Sequence, residues 1–217
     1  MDSPAPSPPL PLKPAEFQAL TNVSRETFAR LATYLQLLTR WQKSINLVGG
    51  RSLADPWRRH FLDSAQLLPL LPEGAQSLVD LGSGAGFPGL VLGILGVPQV
   101  HLVESDARKC AFLREAARET GVSVEIHNAR IENLTPWRVD VVVSRALAPL
   151  SRLLLLAHPF LGLGAEGLFL KGKAAFEELT EAEKSWKMAV ETISSKSDPD
   201  GVILRLGDVQ HAPRHAK

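Results

Sequence analysis

Ser77-Leu78-Val79-Asp80-Leu81-Gly82-Ser83-Gly84-Ala85-Gly86-Phe87-Pro88-Gly89 decides how this chain folds. A short apolar run meets an acid and then breaks into four glycines within eight residues. Leu78, Val79 and Leu81 suit a strand covered on both faces, and the alternate glycines allow φ > 0 and a backbone that approaches a ligand without a Cβ between them. Pro88 presets φ at a helix start, which Leu90, Val91 and Leu92 continue. The unit is strand, glycine turn, helix.

Two ligand patterns overlap here. Gly84-x-Gly86-x-x-Gly89 satisfies a dinucleotide motif, whereas Asp80-x-Gly82-x-Gly84-x-Gly86 satisfies a methyl-donor motif; a third possibility is a turn that only packs strand on helix. Position favours the methyl donor. In a dinucleotide fold the glycine that closes the strand opens the motif, and counting from Gly82 the sixth position is Phe87 rather than glycine or alanine. Asp80 is placed to accept a hydrogen bond from a ligand ammonium.

Outward from this stretch, strands and helices alternate. Val100 to Glu104, Val122 to His127, Val139 to Val143 and Gly167 to Leu170 read as further strands, with a helix capped by Asp106 and stopped by Gly121 and another from Ala174 to Trp186. Ala189 to Ile193 and Val202 to Leu206, split by Asp198-Pro199-Asp200-Gly201, read as a closing antiparallel pair. The expectation is an α/β, Rossmann-like, seven-stranded methyltransferase fold with its ligand crevice at the carboxyl ends of the strands. It carries an N-terminal helical extension. There, Ser24 caps a helix with Phe28, Leu31, Leu35 and Leu38 on one stripe, running to Asn46, and Ser52-x-x-Asp55-Pro56 opens a second helix with Trp57, Phe61, Leu62, Ala65 and Leu68 inward. Pro4, Pro6, Pro8, Pro9, Pro11 and Pro14 mark a disordered or extended start. The divisions are a tail over 1–14, the extension over 15–73, the core over 74–210 and a flexible end over 211–217.

Charge is balanced overall, 24 Lys+Arg against 23 Asp+Glu, but Val23 to Phe61 holds seven Lys or Arg against Glu26 and Asp55, a segment able to face a polyanion. The single cysteine, Cys110, excludes a disulfide framework and suggests a reducing compartment. Of the six histidines only His211 and His215 stand at HxxxH spacing, at the very end of the sequence, and no HExxH occurs, so no structural metal is expected. No apolar run approaches the roughly 18 residues a bilayer requires, and Met1-Asp2-Ser3-Pro4 does not open a leader; a cytoplasmic, monomeric protein off the membrane is expected.

The strand ends carry the candidate chemistry. Gly82, Gly84 and Gly86 bring backbone to the amino-acid part of a donor, Phe87 packs on it, and Glu104, 22 residues after Gly82, suits ribose hydroxyls. Ala129-Arg130-Ile131-Glu132 lies where an adenine would sit. At the fourth strand end, Ser144-Arg145-Ala146, no Asn/Asp-Pro-Pro-Tyr run serves an exocyclic amine, and Cys110 is too far away for covalent attack on a pyrimidine. A ring nitrogen such as guanine N7 owns its lone pair and needs alignment rather than proton removal.

Asp80 to Gly89, Asn46-Leu47, Arg59-His60-Phe61-Leu62-Asp63-Ser64, Ser144-Arg145-Ala146 and Leu170-Lys171-Gly172 together resemble the bacterial small-subunit ribosomal RNA methyltransferase G family, also called glucose-inhibited division protein B. The resemblance runs from Leu31 to Leu206. It implies an enzyme dependent on S-adenosyl-L-methionine that methylates N7 of one guanosine in 16S ribosomal RNA, in the 30S subunit or as free RNA. It places donor contacts on Gly82, Phe87, Ile131, Glu132 and Arg145, with no general base and Arg145 as the candidate positioning residue. Arg145 also has the alternative of pairing with Asp63 or Glu132. Electrostatics adds Arg58, Arg59, His60, Lys171 and Lys173 as RNA-contact candidates. A nucleotide-dependent oxidoreductase and a non-catalytic RNA-binding module are the competing readings.

Overall fold

β1 (Ser77–Leu81) lies at the centre of a sheet ordered β3-β2-β1-β4-β5-β7-β6. The computed structural model describes residues 10–212, and the parts of the expected tails at 1–9 and 213–217 lie outside the described residues. β2 (Gln99–Glu104), β3 (Glu125–Asn128), β4 (Val141–Arg145) and β5 (Glu166–Lys171) run parallel to β1, and β7 (Val202–His211) is antiparallel to both β5 and β6 (Trp186–Ser194). Strand order reverses between β1 and β4, which opens a crevice at their carboxyl ends.

Alternation along β1 explains its burial on both faces. Leu78 joins one hydrophobic core, while Val79 and Leu81 join the other on the opposite face. α4 (Gly89–Ile94) and α5 (Ala107–Thr120) cover the first face, and α6 (Leu150–Leu161) and α7 (Ala175–Glu183) cover the second. α5 begins where expected because the Asp106 carboxylate accepts the Arg108 and Lys109 amides, and it stops at Gly121 with φ +63°. α6 has no counterpart in the sequence reading. Among the described residues no helix is long and apolar enough to cross a membrane.

The N-terminal extension differs from expectation in three places. Leu12 is buried, its amide donates to Asp55 Oδ1 at 2.8 Å, and Arg58 Nη2 donates to the Leu10 carbonyl, so residues 10–13 are tied down and Pro14 starts α1 (Pro14–Thr21). α2 (Arg25–Trp41), capped by Ser24 as expected, ends at Trp41 rather than near Asn46. Gln42 ends it, because Oε1 accepts the Leu47 and Val48 amides at 2.9 and 3.0 Å. The single helix expected from Ser52 is a 3₁₀ turn at Gly50–Ala54, a π-helical turn at Trp57–Leu62 and the short α3 (Asp63–Ala65), leaving Leu68 36% exposed. Phe17, Tyr34, Trp57 and Phe61 belong to the same core as β1 Leu78, so the extension and the sheet share one interior.

Candidate active site

The glycine turn is held in place by the strand beside it. The Gly82 and Ser83 amides donate to the Val103 carbonyl at 3.0 and 2.9 Å, and the Gly84 amide donates to Glu104 Oε2 at 2.9 Å. Glu104 Oε1 accepts the Asp106 amide at 2.7 Å, so both carboxylate oxygens are oriented by backbone while each keeps a further lone pair. Gly82 and Gly84 have φ of +73° and +57°. A Cβ on Gly82 would meet Leu147 Cδ1 at 2.5 Å, whereas one on Gly84 would meet nothing nearer than 3.9 Å. Gly84 therefore presents bare backbone to open space.

That space is a cleft of about 1130 Å³ at the strand ends. Of the residues expected to touch the donor, Gly82, Gly84, Phe87, Glu104, Ile131, Glu132 and Arg145 line it. Asp80 and Gly86 do not. Gly86 faces inward, where a Cβ would lie 2.8 Å from Tyr34 Oη and 2.9 Å from Leu90 Cβ. Asp80 is fully buried, with Oδ2 accepting the Gly89 amide at 2.9 Å and Oδ1 without a partner among the described residues. It anchors the turn to α4, and burial pushes its pKa up to about 7.

Arg145, at the end of β4, joins three segments. Nη1 donates to the Arg59 carbonyl at 2.8 Å and to Asp63 Oδ2 at 3.2 Å, and Nη2 lies 3.1 Å from His60 Nδ1. A guanidinium only donates, so His60 Nδ1 accepts. His60 Nε2 then carries the proton and donates to Ser52 Oγ at 2.8 Å, whose hydroxyl donates to the Gly49 carbonyl. Burial, with Arg145 and Arg59 nearby, lowers the His60 pKa to about 3, keeping the ring neutral. The π-helical turn supplies the Arg59 carbonyl, His60 and the approach to Asp63 in one short stretch. Asp63 Oδ1 accepts from Ser197 Oγ at 2.5 Å, which brings in the β6–β7 loop.

Phe87 is packed between Tyr34 and His60, with ring centroids 5.1 and 4.8 Å away and near-parallel planes, and the Arg145 guanidinium lies 5.0 Å from its centre. The Tyr34 hydroxyl donates to the Ala85 carbonyl inside the turn. Burial raises the Tyr34 pKa well above its ordinary value, so this phenol stays a donor. In the sequence its signal is that it is the chain's single tyrosine, beside an apolar stripe.

The RNA-contact candidates divide. Lys171 has a side chain 8% exposed and donates to the Ala148 carbonyl and Glu178 Oε2, so it is a structural cation. Arg58 is committed to Asp55 and Leu10, and His60 is buried; neither faces solvent as expected. Arg59 lines the cleft with its side chain 54% exposed, 3.7 Å from Asp198, and Lys173 is exposed. Glu132 is paired with Arg152 at 2.7 Å rather than with Arg145.

These residues fit a methyl donor: Glu104 offers oriented acceptors for vicinal hydroxyls, Gly84 bare backbone, and Ile131 an apolar cover. Solved structures with the same fold include a ribosomal protein L11 methylase from Lactobacillus delbrueckii subsp. bulgaricus, with TM-score 0.54 and 16% identity over 66% of this chain and 77% of that one. Another is M. jannaschii TYW2 in complex with AdoMet, with TM-score 0.51 and 17% identity over 68% of this chain and 74% of that one. The fold is that of the S-adenosyl-methionine-dependent methyltransferases, and this chain is an enzyme of that class. The family described as rRNA small subunit methyltransferase G matches residues 27–201. Relatives bearing that name are 59% identical in Rhodospirillum rubrum, over 93% of this chain and all of the relative, and 56% identical in Rhodospirillum centenum, over 97% and 95%. The chain belongs to the rRNA small subunit methyltransferase G family.

Proposed function

We propose that the enzyme methylates N7 of a guanosine in 16S ribosomal RNA, with the small ribosomal subunit as its partner. One observation carries this reading: at the acceptor side of the cleft, every titratable group beside Arg145 is already committed. Asp63 binds Arg145 and Ser197, His60 is a neutral ring held at both nitrogens, and Lys171 and Glu178 hold each other. Asp198, which also lines the cleft, faces Arg59 at 3.7 Å, so among the described residues none of these groups is left free to take a proton. Guanine N7 needs none, since its lone pair forms the new N–C bond and the S–C pair stays on sulfur. Bound in the cleft, S-adenosyl-methionine supplies the electrophilic methyl group.

The chain's own part is to orient and to exclude water. Glu104 and the Gly84 backbone fix one end of the donor, Ile131 covers the base, and Phe87, clamped by Tyr34 and His60, forms a rigid wall. Arg145 locks that wall to the β6–β7 loop. Arg59 and Arg130, at the cleft, are placed to meet RNA phosphates, which position the substrate without reading sequence. An rRNA substrate supports a cytoplasmic location.

Incubation with methyl-labelled donor and small subunits from a strain lacking the enzyme, followed by nuclease digestion and mass spectrometry, tests the reading. Label should enter one N7-methylguanosine. Label in an exocyclic amine, a pyrimidine or ribosomal protein would overturn it.

A further inference from the structure

A second polar cluster lies outside the cleft, on the sheet face shared with Val79 and Val103. His101 on β2 pairs in register with Glu125 on β3, and His127 follows two residues later on the same face. His101 Nδ1 lies 3.2 Å from His127 Nε2, Glu125 Oε2 lies 3.3 Å from His101 Nδ1, and Glu125 Oε1 lies 3.5 Å from His127 Nε2. The imidazoles are 17% and 18% exposed, and Glu125 reaches in from the solvent side. Trp137 packs against both rings at 5.0 and 4.7 Å and is braced edge-on by Phe160.

We propose that His101, Glu125 and His127 form a binding site for a divalent transition-metal ion of the zinc type. Around a tetrahedral zinc with bonds of about 2.0–2.1 Å, neighbouring ligand atoms stand about 3.3 Å apart. The two imidazole nitrogens stand at that spacing, and Glu125 brings one carboxylate oxygen to each of them at a similar distance, so one ligand atom from each residue lies within 4.8 Å of the others. Two imidazoles and a carboxylate are a ligand set that zinc accepts, leaving a fourth position open to solvent beside Glu125. Without an ion, one imidazole nitrogen must donate to the other. Binding requires both to present lone pairs, which tautomer exchange provides by moving that proton to His101 Nε2 or His127 Nδ1. Neutral histidines convert without loss of charge.

This departs from the expectation of no metal, which rested on spacing along the chain. Here the ligands converge across strands, where only register brings them together. The ion would pin edge strand β3 to β2 directly before Ala129 and Ile131, which line the donor cleft. Its role is to staple that edge; the methyl-transfer reading stands or falls separately.

Calorimetric titration of chelator-treated, untagged protein with zinc chloride tests the site. One equivalent should bind, with His101→Gln and His127→Gln each weakening affinity at least tenfold and His158→Gln leaving it unchanged. Magnesium, a hard cation that prefers oxygen ligands, should give no heat. Cobalt(II) should develop tetrahedral ligand-field bands that vanish in both variants. Far-UV circular dichroism and S-adenosyl-homocysteine binding, retained in the glutamine variants, separate loss of the site from loss of the fold. Zinc binding of equal strength in the His101→Gln/His127→Gln double variant, or none in the native protein, overturns the proposal.

Discussion

The Asp80 carboxylate accepts the Gly89 amide at 2.9 Å, closing the glycine turn on the strand that precedes it. The fit is close: a Cβ on Gly89 would lie 2.7 Å from Asp80 Cβ. Asp80 and His60 sit behind and beside the same wall of the cleft, and burial moves their titrations in opposite directions. For Asp80 the ordinary value of 3.8 rises to about 7, and for His60 the ordinary 6.5 falls to about 3.

The signs follow from linkage. Between about pH 4 and 7 the folded chain holds the Asp80 proton that the unfolded chain has released, so the Asp80 contribution is full at low pH and is lost as pH rises. Between about pH 6.5 and 3 the unfolded chain holds the His60 proton that the folded chain refuses, so that contribution is full above pH 6.5 and is lost on acidification. In native protein the two slopes partly cancel. Urea unfolding across pH should show the Asp80→Asn variant gaining on the native protein from pH 4 to 7, by at most about 4 kcal/mol at 1.4 kcal/mol per unit. His60→Gln should flatten the acid limb. Curves parallel to the native one would exclude these assignments.

Within the turn, the positive-φ glycines Gly82, Gly84 and Gly86 should separate by function. Gly82→Ala drives a methyl into Leu147, and Gly84→Ala places one in the open cleft proposed for the donor; each also forces alanine into the left-handed region at about 1–2 kcal/mol. Both should weaken S-adenosyl-homocysteine binding beyond their effect on stability. Gly86→Ala strikes Tyr34, Leu90 and Leu113, so it should lower the melting temperature most. Calorimetry and thermal melts on the three variants read the difference.

Arg145 and Asp63 are 18% and 16% exposed, and removing either leaves the other charge poorly paired. Arg145→Ala should destabilise the fold by about 3 kcal/mol, less in an Asp63→Asn background, with a coupling of about 1–3 kcal/mol in a double-mutant cycle. kcat should fall, because Phe87 and the β6–β7 loop lose their common anchor. Additive effects would mean that the pair does not act as a unit.

Among the cations, Arg59, which keeps only a 3.7 Å ion pair with Asp198, and Lys173 are exposed enough to meet phosphate while Lys171 is not. Arg59→Gln and Lys173→Gln should each reduce the salt dependence of RNA binding by about one counterion, leaving donor affinity intact. Lys171→Gln should lower stability instead, since it strands Glu178. Filter binding over a salt series, beside thermal melts, distinguishes the two outcomes.

What could be read from the chain was local. The β1 run with its glycines, Ser24 and Asp106 as helix caps and Gly121 as a helix stop all act within a few residues, and all stand where expected. α6 escaped because Pro149 gives it no side-chain cap and Pro159 lies within its last turn, both of which read against a helix. Most of the site was legible as a row of strand ends; its partners were not. Tyr34 meets Ala85 across 51 residues and Arg145 meets His60 across 85, and no spacing rule reaches that far. Lys171 carried a charge in the sequence, but only the docking of α7 reveals that Glu178 has already claimed it.

The most direct test of the account is calorimetric titration of S-adenosyl-homocysteine, with NADH as control, into the native protein and Glu104→Ala. One equivalent of S-adenosyl-homocysteine should bind, NADH should not, and losing the carboxylate that holds the Gly84 amide and is proposed to hold the ribose should weaken binding at least tenfold. Binding of NADH in place of S-adenosyl-homocysteine, or S-adenosyl-homocysteine affinity unchanged by Glu104→Ala, would contradict it.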